Sequence, residues 1–481
     1  IATEMEDLDA VRTNFDGISY AKGASVLQQL VAHVGRDNFI AGLRKYFAKH
    51  AYKNTELSDL ITELEATSGK DLTDWVATWL RTAGVNTLRP VVTLDGDTYK
   101  SVYVKQEFPP LPVGSKELRP HHLFIGLFDL HDGTLVRRES IEVDIAGELT
   151  EIKEFAGKKA ADLLLINDHD QSYAKLRFDE RSVETMKSYE GKLDDSLARG
   201  LIWASLWDST RDGEMSATDY IKIALNTLKG ETDISMITAT FMQIDTAIWA
   251  YLAPQNRDAM RLAVANAAEA FLDQAKPGSD HQLQFARNFT SFASSAEHND
   301  LIRELLDGKL AGLKVDADLR WTFVTALAER GLMDKAALSA ELLKDNTLTG
   351  QLAHATCLAA LPTAEAKAET WKSLTTAEIS TSLREAQIAG FQRALHRPLL
   401  AAYVDPYFDL LLDTWGKKSY EVASKFATAM YPTFITTQET LDKTIKWLDT
   451  TGKDGQAGLR RLVSEGRDAL DRALKAQARD K

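Results

Sequence analysis

Residues 101–108, SVYVKQEF, alternate apolar and polar side chains with a period of two, the spacing of a half-buried β-strand. The segment SIEVDI (140–145) repeats the alternation and puts Ile141, Val143 and Ile145 on one face. HLFIGLFDL (122–130) and ADLLLIN (161–167) are short apolar runs of the kind that form buried strands. Asp95-Gly96 and Asp132-Gly133 fall between such runs, and because both residue types tolerate positive φ, each pair predicts a hairpin with a type I′ turn. The block from 86 to 180 therefore reads as a β-sandwich domain of roughly seven or eight strands.

On either side of this block the period changes. Upstream, over residues 1–85, Val26, Leu27, Leu30, Val31 and Val34 recur at spacings of three and four, and Gly35 supplies a stop. Phe39, Ile40, Leu43 and Phe47 repeat the device in the next segment. TELSDLITELEATSG (55–69) and DLTDWVATWLRTAG (71–84) follow, each closed by a glycine suited to a left-handed C-cap. IATEMEDLDAVRTN (1–14) reads as a loop leading into this module, and Tyr20 stands between an Asp16-Gly17 turn and the first amphipathic run.

Downstream, from 181 to 481, the chain reads as helix to its end. Alanine-rich amphipathic segments alternate with breaks such as TRDGEMS (210–216), KPGSD (276–280) and TTGKDG (450–455). Ser216 with Asp219, and Thr436 with Glu439, match the capping box, in which hydroxyl and carboxylate satisfy free backbone donors reciprocally. About sixteen helices with near-uniform helix-turn-helix spacing predict a large α-solenoid of stacked helix pairs with a concave wall. The fold class is thus multidomain α+β, divided at 1–85, 86–180 and 181–481.

Composition narrows the partners. The 57 basic and 70 acidic side chains of the 481 residues leave a net charge of -13, so a phosphate backbone is repelled and nucleic acid is not an expected partner. The single cysteine, Cys357, rules out an intrachain disulfide and a thiolate metal cluster; in LAHATCLAALP it reads as a small buried hydrophobe. A reducing cytoplasm fits that usage. No apolar run approaches the roughly 18 to 20 residues of a membrane helix, and no basic-then-apolar leader pattern opens the sequence, so no membrane partner is expected.

The motif search is mostly negative. None of the ten histidines belongs to an HExxH. His121-His122 would point to opposite faces of a strand, poor geometry for chelation, and Asp168-His169-Asp170 reads as a polar turn at a strand end. There is no phosphate loop, no GxGxxG after a strand and no GxSxG elbow. A chain of this size without a complete catalytic set is either a binding scaffold or part of an enzyme whose other parts lie elsewhere.

FDGISYAKGASVL (15–27) resembles the segment of the aminopeptidase N family, gluzincin-type zinc metallopeptidases, that carries the catalytic tyrosine; the match runs through Ile18, Ser19, Tyr20, Lys22, Gly23, Val26 and Leu27. Residues 38–90, with Trp79 and Gly84, resemble the end of the family's catalytic domain. The order of a thermolysin-like helical tail, a β-sandwich and a long helical domain is similar to the family's as well.

The resemblance implies a zinc-dependent aminopeptidase that removes N-terminal residues from peptides, with Tyr20 donating its phenolic hydrogen to the tetrahedral intermediate. Growing charge on a carbonyl oxygen calls for a preorganised neutral donor, and a phenol is one. The family's HExxH helix, third-ligand glutamate and Gly-x-Met-Glu-Asn segment precede the tyrosine and would lie upstream of Ile1. The chain is then expected to be the C-terminal portion of a bacterial member. Zinc belongs to the full-length enzyme, this chain alone is expected to bind none and to be inactive, and the missing N-terminal half is a partner.

By the same resemblance the solenoid covers the cleft. Arg393, Arg397, Arg460 and Arg461 could line that chamber, although solvated helix faces are the favoured reading for each. Lys22, two residues beyond Tyr20, faces another side and receives no role. Apolar exposure is expected within 1–85, where the module would lack a packing partner. The alternatives are a non-enzymatic α-solenoid scaffold that binds a peptide or protein, and a homologue that kept the architecture and lost the metal.

Overall fold

The computed structural model describes Val11 and residues 17–481, so the readings of 1–10, 12–14 and Asp16 lie outside the described residues, while Val11 is helical where a loop was expected. The chain separates by contact into two units, Ile1–Ser209 and Thr210–Lys481.

The first unit opens with a π-helical turn, Ile18–Lys22, running into α1 (Gly23–Val34), then α2 (Arg36–His50), α3 (Leu57–Ser68) and α4 (Thr73–Leu80). Val26, Leu30, Val34, Leu64, Leu72, Trp75 and Trp79 form their shared core. Both Gly35 and Gly69 end their helices, α1 and α3, at positive φ, 85° and 68°, but only Gly69, with ψ of 10°, takes the left-handed helical cap; Gly35 has ψ of 136°. Gly84 differs: α4 ends at Leu80, and Gly84 is needed because a Cβ there would sit 2.4 Å from the Leu111 carbonyl oxygen and from Pro109. Leu27, Ile40 and Phe47, expected on the apolar stripes, face outward.

Seven strands follow: β1 (Thr87–Asp95), β2 (Thr98–Glu107), β3 (His121–His131), β4 (Thr134–Ile145), β5 (Leu149–Glu151), β6 (Leu163–Ile166) and β7 (Lys175–Leu176). They form two small sheets with strand orders β5-β2-β1-β7 and β4-β3-β6. The β3–β4 hairpin pairs His131 with Thr134 across Asp132 and Gly133, both at positive φ, as a type I′ turn demands. The β1–β2 hairpin corrects its expectation by one residue. Asp95 pairs with Thr98, so the loop is Gly96-Asp97, and only Gly96 takes positive φ, the pattern of a type II′ turn.

From Glu180 onward the described residues hold seventeen α-helices and no strand; leaving aside the four-residue Arg397–Leu400, the number matches the expected sixteen. Their starts are chemically specified. Ser216, Asp233, Ser279, Ser295, Asp316, Asp334, Thr347, Thr363, Ser380 and Ser419 each accept a backbone N–H of the following turn. The expected cap at Thr436 moves to Thr437, whose extended backbone and hydroxyl receive the Thr440 N–H; the Thr436 hydroxyl is taken by Gln477 Nε2 at 3.0 Å.

Asp480 accepts from the N–H groups of Thr218 at 2.8 Å and Ala253 at 3.0 Å and from Asn256 Nδ2 at 3.0 Å, fastening the last helix of this unit (Ala457–Arg479) to its first ones. Among the described residues no helix is long and apolar enough to cross a membrane.

Candidate functional site

Tyr20 sits in the middle of the π-helical turn with its side chain 65% exposed, whereas Lys22 in the same turn is 7% exposed. Residues i and i+2 lie about 200° apart on an α-helix, so one faces outward when the other faces the core; the slightly wider π-turn keeps that opposition. The inward stripe continues as Val26, Gln29, Leu30 and Val34.

Lys22 therefore has a place that the sequence reading denied it. Its Nζ lies 3.5 Å from the Thr82 carbonyl and 5.8 Å from the centroid of the Tyr173 ring. Burial and the neighbouring Arg119 charge hold its pKa below the ordinary lysine value. Two turns on, Gln29 Oε1 accepts from the Tyr173 N–H at 3.3 Å and lies 3.5 Å from Ser172 Oγ. Arg119 is almost wholly buried, yet its guanidinium is satisfied by neutral acceptors: the Thr78 and Ala83 carbonyls, Asn86 Oδ1 and Thr82 Oγ1. These groups gather at the C-terminal end of α4, where helix carbonyls lack partners and the dipole favours a cation.

His121 and His122 face opposite sides of β3, as alternation requires. His121 is buried against Trp79, holds Ser172 Oγ at 2.6 Å and Gln106 Oε1 at 3.2 Å, and burial pushes its pKa down to about 3, so it is neutral. Burial would lower His122 as well, but hydrogen bonds to Asp144 and Glu142, both 2.8 Å, outweigh it and raise its pKa. In the 168–170 turn, Asp168 is fully buried and holds Arg137 Nη2 at 2.7 Å and Ser140 Oγ at 3.0 Å. His169 packs edge-on against Phe124. A Cβ on Gly126 would meet Asp168 Oδ2 at 2.5 Å, which explains the glycine within an otherwise apolar strand. Among the described residues no group of three or more His, Cys, Asp or Glu is arranged to hold a metal ion, so these residues do not fit a zinc site.

In the second unit the four arginines divide. Arg461 pairs with Glu465 on a solvated helix face, the favoured reading. Arg460 instead caps the helix Gln438–Asp449 and the turn beyond it, donating to the Leu448 and Gly452 carbonyls at 2.8 and 2.6 Å. Arg397 lies over the Trp249 ring and donates to the Trp249 carbonyl; burial lowers its pKa to about 9. Arg393 faces Glu329 at 3.6 Å, and both line two adjoining cavities of about 420 and 320 Å³. Asp245 lines the larger one, its pKa pushed up to about 6 by burial although Trp249 Nε1 donates to it at 3.0 Å. Cys357 is buried, with burial pushing its thiol up to about 11, the packing role expected of it.

Sequence reasoning missed Lys367. It is fully buried, donates to the carbonyls of Ala359, Gly390 and Phe391 at 2.7 to 3.2 Å, and burial pushes its pKa down to about 7. Nothing local in AEAKAET distinguishes it from a solvated lysine.

Residues 163–472 match the ERAP1-like C-terminal domain, and residues 1–79 match the peptidase family M1 domain. The first of these family models covers more than half of the chain, which therefore belongs to the ERAP1-like C-terminal domain family.

Over its whole length the chain is 45% identical to "Aminopeptidase N" of Streptomyces lividans, of which it spans 57%. It is 27% identical to "Tricorn protease-interacting factor F2" of Thermoplasma acidophilum, over 46% of this chain and 25% of that protein. To "Aminopeptidase A" of Gloydius brevicauda it is 37% identical, over 18% of this chain and 9% of that protein. The chain thus spans little more than half the length of the first of these relatives and less of the others.

Proposed function

We propose that this chain acts as part of a zinc-dependent aminopeptidase that hydrolyses N-terminal residues from peptides, and that Tyr20 is its contribution to the chemistry. The observation that carries the reading is the identity of 45% sustained over the entire chain with an aminopeptidase N. The orientation of Tyr20 supports it, since the phenol points away from the core on a turn whose opposite side is anchored. In that role Tyr20 Oη donates its hydrogen to the scissile carbonyl oxygen as charge develops there and stays neutral itself, so it stabilises the intermediate without competing for a metal. Zinc would be held by residues outside those described.

The same reading takes 1–85 as the helical end of the catalytic domain, 86–180 as a sandwich made from the two sheets, and 181–481 as a solenoid of stacked helix pairs in a cytoplasmic enzyme. The outward Ile18, Leu27 and Phe47 side chains supply a surface for the rest of a catalytic domain to cover.

In the zinc-loaded enzyme that contains this chain, Tyr20→Phe is expected to lower kcat on the order of 10²- to 10³-fold, with KM and zinc content nearly unchanged. An unaltered kcat removes the catalytic role. The 481-residue chain alone should release no chromophore from an alanyl chromogenic amide; turnover by material of verified mass would overturn the division of labour.

A further inference from the structure

We infer that Lys22 is a positioning residue for Tyr20, the inward anchor that holds the π-helical turn in the rotation that presents the phenol outward. The inference rests on the reading of Tyr20 given above and adds a residue to it. Three elements meet at the Lys22 ammonium. It bonds the Thr82 carbonyl just past α4, stands over the Tyr173 ring that precedes β7, and lies beside Arg119, which ties the end of α4 to the segment before β3.

A lysine is an expensive choice here. Among the described residues no carboxylate pairs with it, and its neighbour in charge is another buried cation. What compensates is the Thr82 carbonyl at the α4 terminus, with the face of the Tyr173 ring. An apolar side chain could fill the space, but it would leave the Thr82 carbonyl without this donor and the turn without a directional tie.

Direction matters because Tyr20 and Lys22 stand on opposite sides of one short turn: a rotation that releases Lys22 swings Tyr20 by the same angle. Gln29, two turns along the same face, grips the backbone of Tyr173. Lys22 and Gln29 therefore fix both the rotation and the axial position of α1 on one neighbouring segment.

The experiment uses the 481-residue chain with ring-¹³C tyrosine, the Tyr20 resonance being the one lost in Tyr20→Phe. In Lys22→Met that resonance is expected to shift and broaden while those of Tyr99 and Tyr407 stay in place. Tyr173→Leu, which removes the ring beneath the ammonium, should move it in the same way and carries the test if Lys22→Met does not fold. In the zinc-loaded enzyme Lys22→Met should lower kcat on the order of 10- to 100-fold with KM within about twofold, and should add nothing to Tyr20→Phe. A Tyr20 resonance unmoved in a folded variant, or losses that multiply in the double variant, would overturn the proposal. If Tyr20→Phe itself leaves kcat intact, the catalytic reading fails separately, and the resonance still decides whether Lys22 anchors the turn.

Discussion

The two units are held together by different means. In the first, buried charges tie short elements of unlike kind: Lys22 and Arg119 at the end of α4, and Asp168 with Arg137 across the sheet. In the second, one device recurs, a Ser, Thr or Asp cap followed by an amphipathic helix, and a side-chain carboxylate, Asp480, fastens the last helix to the first ones. Elements of mixed type share no common packing period, so directional hydrogen bonds must set their orientation. Successive helices can use the same packing each time, so caps and apolar layers do most of the positioning, with single buried charges such as Lys367 tying helices at particular points.

The largest effect should come from Asp168→Ala. It leaves Ser140 without its buried partner and the part-exposed Arg137 guanidinium with Asp195 alone, at 2.6 Å, and should cost about 3 kcal/mol of first-unit stability, read as a lowered denaturant midpoint. Asp480→Ala leaves the Thr218 and Ala253 N–H groups unsatisfied while the Asn256 amide keeps the carbonyl of residue 480, and should cost about 2 kcal/mol in the second unit alone. Amide hydrogen exchange separates the two: faster exchange in residues 217–256 with 87–176 unaffected sustains the contrast, and faster exchange in both units breaks it.

Acidification should move the units in opposite directions. His121 is held near pKa 3 when folded and returns toward 6.5 when unfolded, so the unfolded chain binds the extra proton between those values. The first unit therefore has this contribution in full above about pH 6.5 and loses it as pH falls, by about 2 kcal/mol near pH 5. Asp245 is raised to about 6 when folded against 3.8 unfolded, so the folded state binds the extra proton. Its contribution is present below pH 3.8 and is lost as pH rises through 6. His121→Gln should flatten the pH dependence of first-unit stability between pH 6.5 and 4, and Asp245→Asn that of the second; equal slopes in variant and parent would show that neither group sets them.

The smallest effect sharpens the contrast at the surface. Phe47 is 64% exposed on α2, so Phe47→Ser should change stability by less than about 0.5 kcal/mol while reducing binding of an apolar dye. A larger loss would mean that the side chain is already covered.

Much of this architecture was legible in local patterns, with errors that share one character. Asp132-Gly133 behaves as read, whereas the Asp95-Gly96 turn and the Thr436 cap each shift by one residue. Gly84 was read as a helix stop and is a point of close approach to Pro109 and Leu111. The role proposed for Tyr20 comes from the residues around it, from Ile18 to Leu27. Lys22 was not, because periodicity says that it faces away from Tyr20 without saying that Thr82 and Tyr173 wait there. The same holds for Arg397 and Lys367, whose stretches read like ordinary solvated helix.

By itself the sequence determined the succession of helical, β and helical regions, several helix starts and stops, and the placement of Tyr20 and Lys22 on different sides of one turn. Those properties depend on torsions and side-chain spacings within a few residues. Only the tertiary structure decided that Lys22 is an anchor, that His121 is a neutral core residue and that Asp480 closes the helical unit. Each of those roles is set by partners 15 to more than 200 positions away along the chain, and desolvation, which decides what a charge costs and what it can hold, exists only once they have been brought together.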